Sequence, residues 1–376
     1  MHNNSTQQSA CRRLSCSNAG AAFISGDRRS FISGMIAVGL GALACPSVGR
    51  LSSVFAQTPL LAKSGLIDVH HHFVPPFYLA ENRDRIAISS GGQIHPAWLG
   101  WTPEQAIAAM DEHSVATAVL SLTFPGVWFG NPQAAARTAR RVNEYAADLA
   151  RGHPGRFGRF AAIPLPDTEG SLREIEYALG DLKADGVGLL TSYGDKWLGD
   201  AVYQPVFEEL NRRKAVVFVH PNTPLCCRTL LPDVAPVVAE IPQDTTRAVI
   251  NLVFTGTFAR FKDIHFIFTH AGGYVPMVLG RMHQYAPKNI AEKAPNGIDY
   301  ELKRLYYDIA GTAYRPAIAA LTGLVPTTRI LFGSDNPYVP LAETAEGMLQ
   351  VGFSAADLQL IGRDNALALF PRLKIA

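Results

Sequence analysis

The regularly patterned part of the chain begins at residues 66–73, which read LIDVHHHF. This short and mostly apolar run has the length and composition of a buried strand. Similar runs recur towards the C-terminus, and longer segments of helical period, such as residues 132–151, separate them. Short apolar strands that alternate with helices predict repeated βα units built around a parallel sheet.

Eight runs of this kind can be counted along the chain. We predict strands at residues 66–73, 116–122, 157–163, 187–191, 216–220, 265–270, 305–309 and 329–332. Eight βα units in a single domain predict a (β/α)8 TIM barrel, an α/β fold. The alternative is a doubly wound sheet, but no GxGxxG motif follows the first strand. Residues 77–99 show no clear pattern and are expected to form a long irregular connection beside the pocket.

Composition limits the partners and the kinds of site. The 376 residues are 48% hydrophobic and 18% charged, which is typical of a globular protein. Because 34 basic and 32 acidic side chains give a net charge of only +2, we expect no nucleic-acid partner. The five cysteines show neither CxxC spacing nor a plausible paired framework. A metal site in this chain is therefore expected to use histidine and carboxylate ligands.

The N-terminal region has the pattern of an export signal. Residues 27–32 read DRRSFI and open an uncharged stretch, so we predict a twin-arginine signal peptide and leader over residues 1–56. The uncharged stretch of about 14 residues is shorter than the ~20 that span a bilayer, so no stable membrane anchor is expected. The barrel domain then covers residues 57–376. The predicted location is the periplasm, and the alternative is a cytoplasmic protein.

The first predicted strand carries three consecutive histidines. Because side chains alternate along a strand, His70 and His72 should share one face, and His71 should lie on the other face, towards the helices. One strand would then present two imidazoles to one ion.

Later strands also end in polar side chains. Two apolar runs end in His220 and His270, Asp308 ends the seventh strand, and Asp335 follows the eighth. The C-terminal ends of barrel strands meet at one face, so these side chains should converge there. We predict four metal ligands, namely His70, His72, His220 and Asp335. Asp308 is expected either beside that site or in the hydrogen bonding of the core.

Together these motifs resemble the amidohydrolase superfamily. They are D-x-H-x-H on the first strand, V-H-P after the fifth, T-H-A-G-G after the sixth and G-S-D-x-P after the eighth. Within the superfamily the chain is similar to the branch that contains aminocarboxymuconate-semialdehyde decarboxylase and the γ-resorcylate, 5-carboxyvanillate and 6-methylsalicylate decarboxylases. The resemblance extends from about residue 66 to residue 370.

The resemblance implies one divalent ion, held by His70, His72, His220 and Asp335. It also implies that His270 is the acid/base beside the ion. Zinc is the expected ion and manganese the alternative, because imidazole and carboxylate ligands suit both. Residues 189–191 end the fourth predicted strand as LLT without a lysine, so a binuclear hydrolase site bridged by a carbamylated lysine is disfavoured.

In the related decarboxylases, an arginine eleven residues after the sixth-strand histidine helps to bind a carboxylate, in one case across a dimer interface. Arg281 has this spacing from His270. The resemblance therefore implies that Arg281 binds substrate and that the chain forms a homodimer or homotetramer. The alternative for Arg281 is a solvated helix charge or a structural ion pair.

The expected activity is the non-oxidative decarboxylation of an aromatic or dienoic carboxylic acid, most simply a hydroxybenzoate. The ion would bind the substrate hydroxylate and carboxylate, Asp335 would supply the proton, and His270 would orient the reacting group. The alternative is hydrolysis of a lactone or related ester by metal-activated water, since the same five residues would serve.

Overall fold

The structure is a computed structural model that describes residues 65–89, 94–224, 227, 230–231 and 233–374. The predicted signal peptide and leader, residues 1–56, lie outside the described residues. Among the helices that the structure describes, we find none long and apolar enough to cross a bilayer.

Eight parallel strands form the barrel. They are β1 (Leu66–His72), β2 (Val115–Ser121), β3 (Phe157–Ala162), β4 (Gly186–Leu190), β7 (Val216–His220), β8 (His265–Phe268), β9 (Tyr306–Asp308) and β10 (Ile330–Leu331). Two further strands, β5 (Ser192–Tyr193) and β6 (Lys196–Trp197), form a separate antiparallel pair.

The barrel strands follow one another in the order β1-β2-β3-β4-β7-β8-β9-β10. The first strand also meets the end of the last one. Val69 donates its N–H to the carbonyl of Phe332 at 3.0 Å, and His71 forms a parallel bridge with Asn336. The predicted (β/α)8 TIM barrel is confirmed, although β8 ends at Phe268, before His270.

Helices occupy the connections between the strands and the segment after β10. They are α1 (Pro76–Ser89), α2 (Pro96–Leu99), α3 (Pro103–Glu112), α4 (Pro132–Gly152), α5 (Thr168–Gly180), α6 (Gln204–Arg212), α7 (Pro236–Phe254), α8 (Thr257–Arg260), α9 (Val275–Gln284), α10 (Ile290–Lys293), α11 (Ile298–Lys303), α12 (Arg315–Leu324), α13 (Leu341–Gln350), α14 (Ala355–Gln359) and α15 (Asn365–Leu369). Side chains of Thr102, Asn131 and Asp167 accept backbone N–H groups at the starts of α3, α4 and α5, as N-cap residues do.

The expectation of an irregular connection at residues 77–99 was wrong, because α1 and α2 lie there. Tyr78, Asn82 and Ile86 of α1 are buried at four-residue spacing, which is one face of a helix. The polar Asn82 on that face donates to the carbonyl of Tyr78 at 3.0 Å. A polar residue on the buried face interrupts the apolar pattern, so the helix could not be identified from hydrophobicity alone.

The barrel interior is filled by side chains from several strands, among them Ile67, Phe160 and Phe218, and by residues near the C-terminus such as Phe370. Arg363 donates to the carbonyl of Gly65, just before β1, and so places this C-terminal segment at the N-terminal ends of the strands. That end of the barrel is therefore packed with apolar side chains. The opposite end is left to carry polar groups, as in other barrels.

β1 contains a β-bulge. Its register with β2 shifts between Asp68 and His71, and Val69 packs in the apolar interior of the barrel. Strict alternation would turn His70 away from the side that Val69 occupies. The bulge adds the extra residue that lets His70 follow Val69 inwards, where its ring lies 5.0 Å from that of Phe218.

Candidate metal centre

Five ligand-type side chains meet at the C-terminal ends of the strands. His70 and His72 come from β1, His220 ends β7, and Asp335 follows β10. One ligand atom from each of these four residues lies within 4.8 Å of the other three. His270, in the turn after β8, joins them, with its Nε2 3.4 Å from Asp335 Oδ2. The fold therefore brings together the four predicted ligands and the predicted acid/base.

The three imidazoles of this group present the same nitrogen to one another. In each ring Nδ1 lies against an oxygen acceptor: Asp308 Oδ2 at 3.0 Å for His70, the Ser121 carbonyl at 3.3 Å for His72, and the Pro221 carbonyl at 2.7 Å for His220. His72 Nδ1 also lies 3.0 Å from the Ser121 hydroxyl, which can accept this proton while its own hydrogen points to the His71 carbonyl at 3.4 Å. A carboxylate or carbonyl oxygen accepts a proton and does not donate one, so we assign the ring proton to Nδ1. Nε2 is then the unprotonated nitrogen, which is the form that binds a metal ion.

The facing lone pairs in this cluster call for a cation. His70 Nε2 and His72 Nε2 are 3.1 Å apart, and Asp335 Oδ1 lies 3.3 Å and 2.9 Å from them, respectively. Asp335 Oδ1 is buried and makes no hydrogen bond to any residue that the structure describes. Unshared electron pairs at these distances repel one another unless a positive charge lies among them. The donor set therefore fits a divalent metal ion.

The electrostatics of the cluster agree with this fit. Although burial lowers it, the carboxylates of Asp308 and Asp335 raise the pKa of His70 to about 10. Burial lowers the pKa of His72 and takes that of His220 well below its usual value. Burial opposes ionisation of Asp335, but its imidazole neighbours hold the pKa of this carboxyl well below the usual range. A positive charge is therefore favoured at this cluster: a second proton on His70 supplies it in the absence of an ion, and a divalent ion would displace that proton.

The backbone at the two candidate proton-transfer residues is strained. His270 has φ +55°, Ala271 has φ +57° and Asp335 has φ +64°, a region that residues other than glycine rarely adopt. Hydrogen bonds hold these positions, because the N–H of His270 donates to Asp308 Oδ1 at 3.1 Å and that of Asp335 to the His70 carbonyl at 2.8 Å. His270 Nδ1 is buried without a hydrogen-bond partner among the described residues.

Arg281 does not join this cluster. It lies on the exposed side of α9, and its guanidinium is 5.1 Å from the centre of the Tyr285 ring. Met277 is also exposed, and four-residue spacing puts it on the same helix face as Arg281 and Tyr285. The buried residues of this helix are Val275 and Met282. Arg281 therefore faces solvent rather than the centre of its own barrel.

Tyr338 lies beside the centre and was not identified from the sequence. Its ring is 5.5 Å from that of His72 and 4.9 Å from that of His95. Burial raises the pKa of Tyr338 well above its usual value, so the phenol keeps its proton. The available signal was its place three residues after Asp335, in the same connection.

An apolar cavity opens beside His220. Its walls include the side chains of Leu122, Phe160, Ile163, Leu190 and Phe218. None of the residues that line it carries a full charge when His220 is neutral. The candidate ligand atoms therefore adjoin a small apolar cavity of about 30 Å³.

Comparisons with known proteins agree with this arrangement. Residues 67–372 match the family model described as amidohydrolase. Decarboxylase yanB of Aspergillus niger is 36% identical over 328 residues, which cover 82% of this chain and 88% of that protein. The 6-methylsalicylic acid decarboxylase acuB of Aspergillus aculeatus is 34% identical over 330 residues, which cover 82% of this chain and 97% of that protein.

The fold is also similar to that of a solved relative. The dihydroxybenzoic acid decarboxylase of Polaromonas, solved with bound manganese and the inhibitor 2-nitroresorcinol, is 25% identical, with a TM-score of 0.72. The match covers 83% of this chain and 98% of that one. Since the family model spans most of the sequence and the barrel carries the candidate ligand residues at the expected strand ends, the chain belongs to the amidohydrolase family.

Proposed function

We propose that the chain is a metal-dependent, non-oxidative decarboxylase of an aromatic carboxylic acid that carries a hydroxyl group beside the carboxylate. The observation that supports this most directly is the cluster of three imidazole Nε2 atoms and the Asp335 carboxylate, with His270 next to it. The relatives described above are decarboxylases, among them one of 6-methylsalicylic acid. Their identity over most of this chain favours decarboxylation over the hydrolase alternative.

The proposed cofactor is one divalent ion per chain, held by His70, His72, His220 and Asp335. Zinc is our first choice, because three imidazoles and one carboxylate are ligands that zinc commonly takes. Manganese is the alternative, and the Polaromonas relative contains it. Such an ion, when bound, polarises the carboxylate and hydroxyl oxygens of a substrate as a Lewis acid.

Asp335 is the proposed proton carrier. Its pKa is held well below the usual range, so the carboxylate is ionised at the start of the reaction. A carboxylate with so low a pKa is a weak base, and it can accept the proton of the substrate hydroxyl only if that hydroxyl is made more acidic, as a bound divalent ion would do. It then returns that proton to the ring carbon that bears the carboxylate. The bond between the ring and the carboxylate breaks, its electron pair restores the aromatic ring, and CO2 leaves. No oxidant is required.

His270 is the proposed partner of Asp335 in this transfer. Its Nε2 lies 3.4 Å from Asp335 Oδ2, and its backbone N–H is held by Asp308. An imidazole at this position can orient the carboxylate through each proton exchange. We therefore expect His270 to affect the rate of proton transfer more than the affinity for the ion.

The apolar walls beside His220 favour an apolar substrate group, and the cavity there, of about 30 Å³, must widen to admit a ring. Phe160 and Phe218, which line it, are themselves stacked with ring centres 4.9 Å apart. A ring bound against such walls would place its carboxylate and hydroxyl towards the ligand atoms. This arrangement would also keep water from the carbon to be protonated.

Incubation of the purified chain with o-hydroxybenzoates and with lactones tests the proposal. We expect CO2 release from at least one o-hydroxybenzoate, loss of this activity after chelation, and recovery on addition of Zn²⁺ or Mn²⁺. Lactone opening without CO2 release from any hydroxybenzoate would instead indicate a metal-dependent hydrolase.

We also propose a homodimer or homotetramer in which Arg281 of a neighbouring copy binds the substrate carboxylate. Its position on the solvent-facing side of α9, between exposed Met277 and Tyr285, supports contact with a second copy. The bidentate guanidinium suits a carboxylate.

Export to the periplasm remains our proposal for the location of the protein, with residues 57–376 as the mature domain. The motif at residues 27–32 supports it. Replacing Arg28 and Arg29 by lysine should retain the chain in the cytoplasm, which cell fractionation measures. Unchanged periplasmic recovery would contradict the twin-arginine route.

A further inference from the structure

Asp68 is a fully buried carboxylate that belongs to none of the roles assigned above. Its two oxygens accept four hydrogen bonds. Oδ1 accepts from the backbone N–H groups of His70 at 3.1 Å and Ser334 at 3.0 Å. Oδ2 accepts from the Ser334 hydroxyl at 2.5 Å and from His71 Nδ1 at 2.9 Å. Four donors satisfy the usual acceptor capacity of an ionised carboxylate, so Asp68 has no lone pair left for an ion.

These donors come from two segments that are far apart in sequence but adjacent in the barrel. His70 and His71 lie on β1, whereas Ser334 precedes Asp335 in the turn after β10. Further hydrogen bonds join the same two segments, because Asp335 donates its N–H to the His70 carbonyl at 2.8 Å. Asp68 therefore lies at the seam where the barrel closes, and each side of that seam carries a candidate metal ligand.

Asp68 also spans the β-bulge of β1. The register shift lies between Asp68 and His71, and the carboxylate accepts both from the backbone of His70 and from the ring of His71. These two bonds hold the backbone in the form that turns His70 into the barrel. Without the bulge, alternation would turn the His70 ring to the other side of the strand.

We propose that Asp68, together with Ser334, is a positioning residue that fixes the distance and direction between His70 and Asp335. This inference rests on the proposed metal-binding function. Asp68 acts only through its neighbours: it holds the bulge on one side of the seam and the turn that carries Asp335 on the other. The effect of Asp68 should therefore be measured as a change in the affinity of the chain for the ion.

The test compares variants of the full chain. Asp68→Asn keeps the size of the side chain but replaces one acceptor oxygen by an NH2 group, which would face a donor. Ser334→Ala removes the hydroxyl bond to Asp68 and also the acceptor of the Asn336 N–H, which lies 3.0 Å from the Ser334 oxygen. Glu174→Gln is the matched control, because Glu174 is a buried carboxylate that bonds to Asn143 and Arg140 and touches no residue of the seam.

The dissociation constant for Zn²⁺ is measured by competition with a chromophoric chelator, and the melting temperature is measured with and without the ion. We expect Asp68→Asn to bind Zn²⁺ about 10- to 100-fold more weakly, which is the usual effect of losing a residue that orients ligands. Ser334→Ala should lose affinity by a smaller factor, about 3- to 10-fold on the same scale. The rise in melting temperature that Zn²⁺ produces should shrink in both, and Glu174→Gln should keep it.

The double variant should lose less affinity than the two single losses multiplied together, because both changes remove the hydroxyl contact between Asp68 and Ser334. Zn²⁺ affinity within twofold of the wild type in both single variants would overturn the role, and so would an equal loss in Glu174→Gln. If Asp68→Asn does not fold, Ser334→Ala decides by the same criterion. A wild-type chain that binds no divalent ion would overturn the proposed function together with this role, whereas unchanged variants of a metal-binding chain would overturn the role alone.

Discussion

His70 and Asp308 form a buried pair in which Nδ1 of the imidazole lies 3.0 Å from Oδ2 of the carboxylate. The other carboxylate oxygen accepts the backbone N–H groups of His270 at 3.1 Å and Ala310 at 3.0 Å. One side chain at the end of β9 thus orients a candidate metal ligand and fixes the backbone of the candidate acid/base. Metal binding by His70 and proton transfer by His270 should therefore both depend on Asp308.

Asp308→Asn should weaken both functions. The amide removes the negative charge that directs the proton of His70 to Nδ1, and we expect the affinity for the ion to fall by about 10- to 100-fold. Chelator competition measures the affinity, and kcat at saturating metal measures the effect on His270. Glu301→Gln, which changes a buried carboxylate bonded to Arg304, is the control. Equal losses in the two variants would contradict the prediction.

His270→Asn and His220→Ala should separate catalysis from metal binding. We expect His270→Asn to retain about one ion per chain and to lose about 10²-fold or more in kcat, the scale of a lost acid/base group. His220→Ala should lose the ion, because it removes an Nε2 ligand atom. Elemental analysis of both purified variants gives the metal content. Equal metal loss would show that His270 is a further ligand, and two tightly held ions in the wild type would contradict a mononuclear site.

Arg281→Lys should raise KM although the positive charge remains, because lysine lacks the planar pair of donors that matches a carboxylate. Arg281→Ala should raise KM further. If Arg281 acts across an interface, mixing Arg281→Ala with His70→Ala subunits should restore activity, because each hybrid dimer then has one intact site. Steady-state kinetics of the mixture measures this. Wild-type kinetics in Arg281→Ala would remove the residue from the site, and no recovery on mixing would contradict an action across the interface.

Asp244 should make the stability of the fold depend on pH. It is buried on α7, where Oδ2 accepts from the Thr191 hydroxyl and from the Asn222 N–H, and burial raises its pKa from 3.8 to about 6. The folded chain then binds this proton more tightly than the unfolded chain does. The contribution of Asp244 to the free energy of unfolding is therefore favourable at low pH, and it is lost as the pH rises from about 4 to about 6.

The Asp244→Asn variant has no carboxyl group at this position, so it should not lose this stability as the pH rises. Between about pH 4.5 and pH 7, the free energy of unfolding should shift in favour of the variant, relative to the wild type, by about 2 kcal/mol. Urea unfolding of both proteins at the two pH values measures the shift, and the other carboxyl groups cancel in the comparison. A difference that is the same at both pH values would contradict the pKa assigned to Asp244.

The barrel and the ligand positions could be predicted because they follow from patterns that are local in sequence. Val216–His220 is a short apolar run with a histidine at its C-terminal end, and the geometry of a parallel barrel takes every such end to one face. The same rule applied to His72 and Asp335, whereas the inward turn of His70 also depends on the bulge in β1. No long-range information was needed beyond the identity of the fold.

The features that were missed depend on contacts between distant segments. The bulge at Asp68 is held in part by Ser334, which no period-two pattern within β1 can reveal. The distance of Arg281 from His270 along the chain does not determine which side of α9 packs on the barrel, and the structure turns Met282 inwards and Arg281 outwards. Tyr338 approaches His72 only because the connection after β10 folds back over the centre.

Because the candidate ligands lie on both sides of the seam between β1 and β10, a bound ion would stabilise the closed barrel as well as take part in the reaction. His70 and His72 lie on one edge of the seam and Asp335 lies on the other. An ion bound by all three would cross-link the first strand to the segment after the last strand. A growing chain carries the imidazoles early and lacks the carboxylate until its final barrel strand has been made. Closing the ring would therefore complete the set of ligands, and loss of the ion should loosen the barrel first along this line.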